Sequence, residues 1–120
     1  MAWEFSNDRP IWLQLSEQLT LQIISGKYES GSALPSVRAL ASEAGVNPNT
    51  VQRAMSELES EGLIETKRTT GRIVTEDMQL IRQMRDKIAL ERINEFINSM
   101  KALGYTENDI KNMSFFKENS

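Results

Sequence analysis

Leu34-Pro35-Ser36-Val37-Arg38, followed nine residues on by Asn47-Pro48-Asn49-Thr50-Val51-Gln52-Arg53, is the stretch that decides the fold. Ser36 is a residue type that caps a helix start, and Val37, Leu40 and Ala41 then recur as the inward face of a short helix to Glu43. Asn47 is a second cap, and Pro48 suits the first position of the helix behind it. Val51, Ala54, Met55 and Leu58 give that helix its i, i+3, i+4, i+7 core stripe. Gly45 and Val46 make the turn between the two. Two short helices joined by a Gly-containing turn read as a helix-turn-helix. The polar start of the second helix, set against its apolar back, points to contact with double-stranded DNA.

Gly62 closes the second motif helix. Leu63-Ile64-Glu65-Thr66 and Arg72-Ile73-Val74-Thr75 read as two short strands, with Lys67-Arg68-Thr69-Thr70-Gly71 as the turn. A hairpin in that place makes the unit winged. Upstream, Pro10 opens a helix to Ser25. One stripe of that helix is Trp12, Leu15, Leu19 and Ile23; a second is Leu13, Leu21 and Ile24. Gly26 stops it, and Glu29-Ser30-Gly31-Ser32 reads as a loop. Residues 1–9 form an arm in which Trp3 and Phe5 are anchors. The fold class expected is mainly α with a small β-hairpin. The winged helix-turn-helix domain covers 1–76, and a helical dimerisation appendage covers 77–120.

In that appendage a long helix is predicted from about Asp77 to Leu103. Its apolar face drifts. Leu80, Ile81, Met84 and Ile88 share one side; Ala89, Ile93, Phe96, Met100 and Leu103 share another. The drift predicts packing on the winged domain first and on a second subunit later, so the second set is the expected dimer interface. Gly104 ends the helix, and Thr106 with Asp109 fits the cap pattern of a last helix from Glu107 to about Phe116.

The formal net charge is −3. Residues 34–75 nevertheless carry five basic and five acidic side chains, with the bases at element starts and in the cluster Lys67, Arg68 and Arg72. The acids fall mostly at the far end of the second motif helix. A local basic face therefore fits on an acidic protein. The chain has no Cys and no His, which removes disulfides, thiolate metal sites, the commonest metal ligand and the commonest acid–base catalyst. No Gly-rich phosphate loop or spaced catalytic constellation is present, so no catalytic residue, metal or cofactor is assigned. No apolar run approaches the roughly 20 residues that span a bilayer, and no signal peptide is recognisable. A cytoplasmic, membrane-free protein is expected.

These residues resemble the GntR family of bacterial transcription factors, and within it the short YtrA-type subfamily. The matching pieces are Pro10-Ile11-Trp12, Leu34 to Arg38, Val46 to Val51, the helix end Leu58-Glu59-Ser60-Glu61-Gly62, and Arg68-Thr69-Thr70-Gly71-Arg72-Ile73-Val74. By motif the resemblance covers about residues 8–76; the tail matches in length and helical character. It implies a winged helix-turn-helix, a homodimer and a pseudo-palindromic operator, with Arg38 and the Asn47–Arg53 helix start facing DNA. Gly71 matches the wing glycine. The chain departs from many members at Pro48 and Gln52, where Arg is common, and at Thr69, where a second wing glycine is common. An Arg at position 52 favours guanine, whereas Gln52 has the groups for bidentate pairing with adenine.

The expected DNA-contacting set is Ser36, Arg38, Asn47, Asn49, Thr50, Gln52, Arg53, Lys67, Arg68, Thr70, Gly71 and Arg72. Gln52, Arg53 and Asn49 read bases, Ser36 and the wing hold phosphates, and Asn47 is first of all a cap. The expected function is a dimeric repressor on a palindromic operator, with control of a transporter operon suggested by the resemblance. The alternative is a winged-helix protein-interaction module. A tail of one long and one short helix is too small to enclose a drug-sized pocket, so any small-molecule effector is expected at the dimer interface.

Overall fold

The computed structural model describes residues 3–118 of the 120. In chain order the elements are α1 (Ile11–Ile24), α2 (Val37–Ala44), α3 (Pro48–Ser60), β1 (Ile64–Lys67), β2 (Gly71–Val74), α4 (Met78–Ala102), α5 (Glu107–Lys111) and α6 (Ser114–Glu118). The chain falls into two compact units, Met1–Gln83 and Met84–Ser120, which divide within α4.

In the first unit α1 and α2 both pack on α3, and β1 follows against α3. Leu15, Leu19, Leu40, Val51, Ala54, Met55, Leu58, Leu63 and Val74 are fully buried, so every element of the motif contributes to one core. Both caps form as the sequence predicts. Ser36 Oγ accepts from the Ala39 N–H at 3.1 Å, and Asn47 Oδ1 accepts from the Asn49 N–H at 2.8 Å, with Pro48 at the first helical position. Gly45 ends α2 at φ 70°, a left-handed conformation that a side chain resists. Gly62 ends the turn after α3 at φ 81°, and a Cβ there would lie 3.2 Å from Leu80 Cδ2.

The hairpin pairs Ile64 with Val74, Glu65 with Ile73, Thr66 with Arg72 and Lys67 with Gly71. Both strands sit one residue nearer the turn than the sequence suggests. Gly71, at φ 78°, pairs with Lys67 instead of lying in the turn, while the Leu63 N–H closes α3 on Leu58 O at 3.0 Å. The segment 31–34, predicted in part as loop, pairs with the free edge of β2. Leu34 N–H donates to Arg72 O, Val74 N–H to Ser32 O and Gly31 N–H to Val74 O, each at 2.9 Å. β2 is thus hydrogen-bonded on both sides.

The arm before α1 is fastened by glutamines. Gln14 Oε1 accepts from Ser6 N–H at 2.8 Å, and its Nε2 donates to Ser6 O and Arg9 O. Gln18 Nε2 donates to Glu4 O at 2.9 Å. The expected anchors Trp3 and Phe5 are half-buried and stack on one another, 6.4 Å apart.

In the second unit the Thr106–Asp109 capping box forms in both directions. The single last helix expected from Glu107 to Phe116 is instead two short ones. The first ends at Asn112, whose backbone N–H and Nδ2 both donate to Asn108 O, at 3.1 and 2.9 Å, while the Met113 N–H turns to Ile110 O at 3.2 Å instead of continuing the i−4 ladder. Ile110 is buried, and the Phe96 and Phe116 rings meet at 6.4 Å. Leu90, Ile93, Phe96, Leu103 and Phe115 are exposed.

Candidate nucleic-acid interface

Two helix starts and one hairpin carry the polar residues singled out in the sequence. Arg38 stands in the first turn of α2, exposed, and forms no ion pair among the described residues. Ser36, just before it, is exposed, with its hydroxyl oxygen serving as the cap. On α3, Asn49, Gln52 and Arg53 are exposed and Thr50 is half-buried. All four lie off the Val51, Ala54, Met55 and Leu58 stripe that the core holds. This is the amphipathic split the sequence predicts, and it leaves the polar side of α3 available to a groove.

The exposed side chains are not equally free. Asn47 spends its side-chain oxygen on its own helix. Arg53 lays its guanidinium over the Trp12 ring of α1, 4.2 Å from the centroid. Gln52 accepts through Oε1 from Arg72 Nη2 at 3.1 Å, so the second turn of α3 is tied to the wing.

Arg72 makes a second contact. Its Nε donates to Glu59 Oε1 at 2.6 Å, and Thr66 Oγ1 donates to the same carboxylate oxygen at 2.8 Å. Thr66 and Arg72 are cross-strand partners, so the register of the hairpin brings both donors to one acceptor. Gln52 and Glu59 are seven residues apart on α3, two helical turns along one face. Arg72 bridges that interval. Its hydrogen bond holds the Glu59 carboxyl below the ordinary carboxylate value, with Thr66 adding to the effect.

The expected wing cluster of Lys67, Arg68 and Arg72 is therefore divided. Arg72 points back along α3. Lys67 pairs with Glu65 at 3.2 Å in an exposed bridge, which is a weak contact that solvent and salt loosen. Arg68, Thr70 and Gly71 are exposed at the turn, and Arg68 has no ion-pair partner among the described residues. The sequence singled out neither Glu59 nor Thr66. An acidic residue at the end of a helix reads as solvated surface, and only the folded hairpin shows what it meets.

No group of three or more metal-ligating side chains occurs among the described residues, and no helix there is long and apolar enough to cross a membrane.

The pattern of the family "Bacterial regulatory proteins, gntR family" matches residues 13–74. The chain is 36% identical over 107 residues to the HTH-type transcriptional regulator YhcF of Bacillus subtilis, covering 89% of this chain and 88% of that protein. It is 33% identical to the HTH-type transcriptional repressor YtrA of Bacillus subtilis, covering 78% of this chain and 85% of that one. A solved GntR family transcriptional regulator from Listeria monocytogenes superposes with a TM-score of 0.82 at 40% identity, covering 88% of this chain and 93% of that chain.

Proposed function

This chain belongs to the gntR family of bacterial regulatory proteins, as a DNA-binding transcriptional regulator with a winged helix-turn-helix, and from that premise we propose that it acts as a homodimeric repressor of a palindromic operator. The observation that carries the reading is the split face of α3. Its apolar side is spent in the core, while Asn49, Thr50, Gln52 and Arg53 are left on the other side, with Arg38 exposed at the start of α2. A recognition helix enters a major groove by its N-terminal residues, and two of them one helical turn of DNA apart need a two-fold axis.

In this reading Gln52, Arg53 and Asn49 face base edges, and Arg38 reaches the same groove from α2. Ser36, Asn47, Lys67, Arg68, Thr70, Gly71 and Arg72 fix register on the phosphates and the adjacent groove. The dimer forms through Ala89, Ile93, Phe96, Met100 and Leu103. The repressor sense is supported by the name of the similar YtrA. Bound at a promoter, the dimer blocks polymerase, and control of a transporter operon fits the YtrA-type resemblance. An effector, where one acts, sits at the dimer interface, because one long and two short helices of one subunit enclose too little volume for a drug-sized ligand.

Selection of bound sites from random double-stranded DNA tests the reading. The expected result is one enriched sequence with two-fold symmetry. An enriched site without symmetry overturns the palindromic dimer, and no enrichment overturns sequence-specific binding.

A further inference from the structure

The joint between α3 and the wing does more than brace the hairpin. Arg72 is fixed at its backbone, whose carbonyl accepts from the Leu34 N–H on the free side of β2 and whose residue pairs with Thr66 on the other. Its side chain is only 24% exposed, and the Glu59 carboxylate that holds it is 34% exposed. The Nη2 end that reaches Gln52 is therefore a placed donor.

A guanidinium has donors and no acceptor, so the Gln52 amide can face it only through oxygen. The amide nitrogen then lies on the opposite side, and it has no partner among the described residues. Bidentate pairing with adenine uses both ends of a glutamine amide: the oxygen accepts from N6 and the nitrogen donates to N7. Here one of the oxygen's two lone pairs already accepts from a cation, which weakens the oxygen as an acceptor for N6 and strengthens Nε2 as a donor. The two N–H groups of Nε2 remain, and a guanine edge offers two acceptors, N7 and O6.

We propose that Arg72 is a specificity-determining positioning residue: held by Glu59, it takes the Gln52 amide oxygen and leaves Gln52 to read a guanine edge as a donor instead of pairing with adenine. The proposal rests on the DNA-binding reading above. It changes the base expected opposite Gln52, and it gives Arg72 a role that phosphate contact does not include.

The experiment starts from the site selected by the full-length protein. Each base pair of one half-site is varied, and binding is measured for the natural chain, Gln52→Ala, Arg72→Met and Glu59→Gln. Gln52→Ala identifies the base pair that Gln52 reads. At that pair the natural chain is expected to favour guanine over adenine by roughly tenfold, the order of one lost base pairing. Arg72→Met should erase that preference or move it to adenine while the other positions keep theirs. Glu59→Gln, which keeps the shape and removes the charge, should weaken it in the same direction, and it carries the test if Arg72→Met fails to fold. The proposal is overturned if the natural chain favours adenine there. It is equally overturned if the variants lower affinity evenly at every position and make the salt dependence shallower, the signature of a phosphate contact. If the natural chain enriches no sequence at all, the DNA-binding reading itself falls, a result distinct from both.

Discussion

The guanidinium of Arg53 on α3 lies 4.2 Å from the centroid of the Trp12 ring on α1. The two helices that share most of the core are thus also joined at the surface, by a contact worth about 0.5–1 kcal/mol at an exposed site. Arg53 stands off the apolar stripe, so the sequence suggests that its removal leaves the fold untouched. The stacking modifies that expectation. Arg53→Ala should lower stability by about 0.5–1 kcal/mol. It should also shift the fluorescence of Trp12, besides weakening operator binding. Arg38 provides the contrast, being exposed and without an ion pair among the described residues. Arg38→Ala should cost roughly 1–3 kcal/mol of specific binding with no loss of stability. Equal melting of Arg53→Ala and the natural chain would show that the stacking contributes nothing.

Lys67 and Arg68 are the wing cations placed outermost. Lys67 is held only by the exposed Glu65 bridge, which a phosphate can replace. Replacing both by Ala should weaken binding to all sequences about equally. The slope of log affinity against log salt should become shallower by about two units, since each phosphate contact contributes about 0.9. Titration at several salt concentrations reads this directly; an unaltered slope would leave the hairpin tip in solvent.

How much of this was legible in the sequence depends on the range of the interaction. Caps are local, so Ser36, Asn47 with Pro48, and Thr106 with Asp109 were readable from spacing alone. The core stripe of α3 was readable for the same reason. Contacts between distant polar residues were not. Nothing near Gln14 and Gln18 marks them as clamps on the arm, because their partners are the backbone carbonyls and amide of residues 4–9. Nor does residue type reveal that 31–34 pairs with β2, since a short polar segment with a Gly reads equally well as loop. The Gln52–Arg72–Glu59 chain is the functional case. The sequence placed Arg72 with the wing bases by proximity, whereas the antiparallel register turns it toward α3. Asn112 shows the opposite failure: its side-chain bond to Asn108 O is local, yet helical periodicity concealed the end of the helix there.

The exposed apolar face of the second unit carries a prediction about assembly. Ile93 and Phe96 are about half exposed, and Leu103 is 73% exposed. A monomer rarely leaves such a cluster in water. Phe96→Asp should therefore convert the proposed dimer to monomers in sedimentation. Operator affinity should fall by orders of magnitude, because two half-sites would no longer share one ligand. Phe96 also meets Phe116, so the control is Phe116→Ala, which removes the ring contact without adding charge. An unaltered dimer in Phe96→Asp would place the interface elsewhere.

The last prediction concerns acid. The Arg72 hydrogen bond holds Glu59 below its ordinary value of about 4.5 in the folded protein, with Thr66 acting in the same sense. A carboxyl whose folded pKa is depressed releases its proton more readily folded than unfolded. Its contribution is therefore fully present above the unfolded value and fades as pH falls through the folded one. Glu59→Gln should lower the melting temperature at pH 7, and the gap to the natural chain should narrow as pH falls below the ordinary value of about 4.5. Asp8, Glu107 and Asp109 are also depressed, by the Ser6 hydroxyl, by Lys101 and by the Thr106 cap respectively. They destabilise both proteins alike in acid, so the difference between the two melting curves isolates Glu59. Operator binding adds a second readout: because Glu59 holds Arg72 against Gln52, base preference at the Gln52 position should relax over the same pH range. A melting gap that does not narrow as pH falls below that value would mean that the Glu59 charge does not hold the joint.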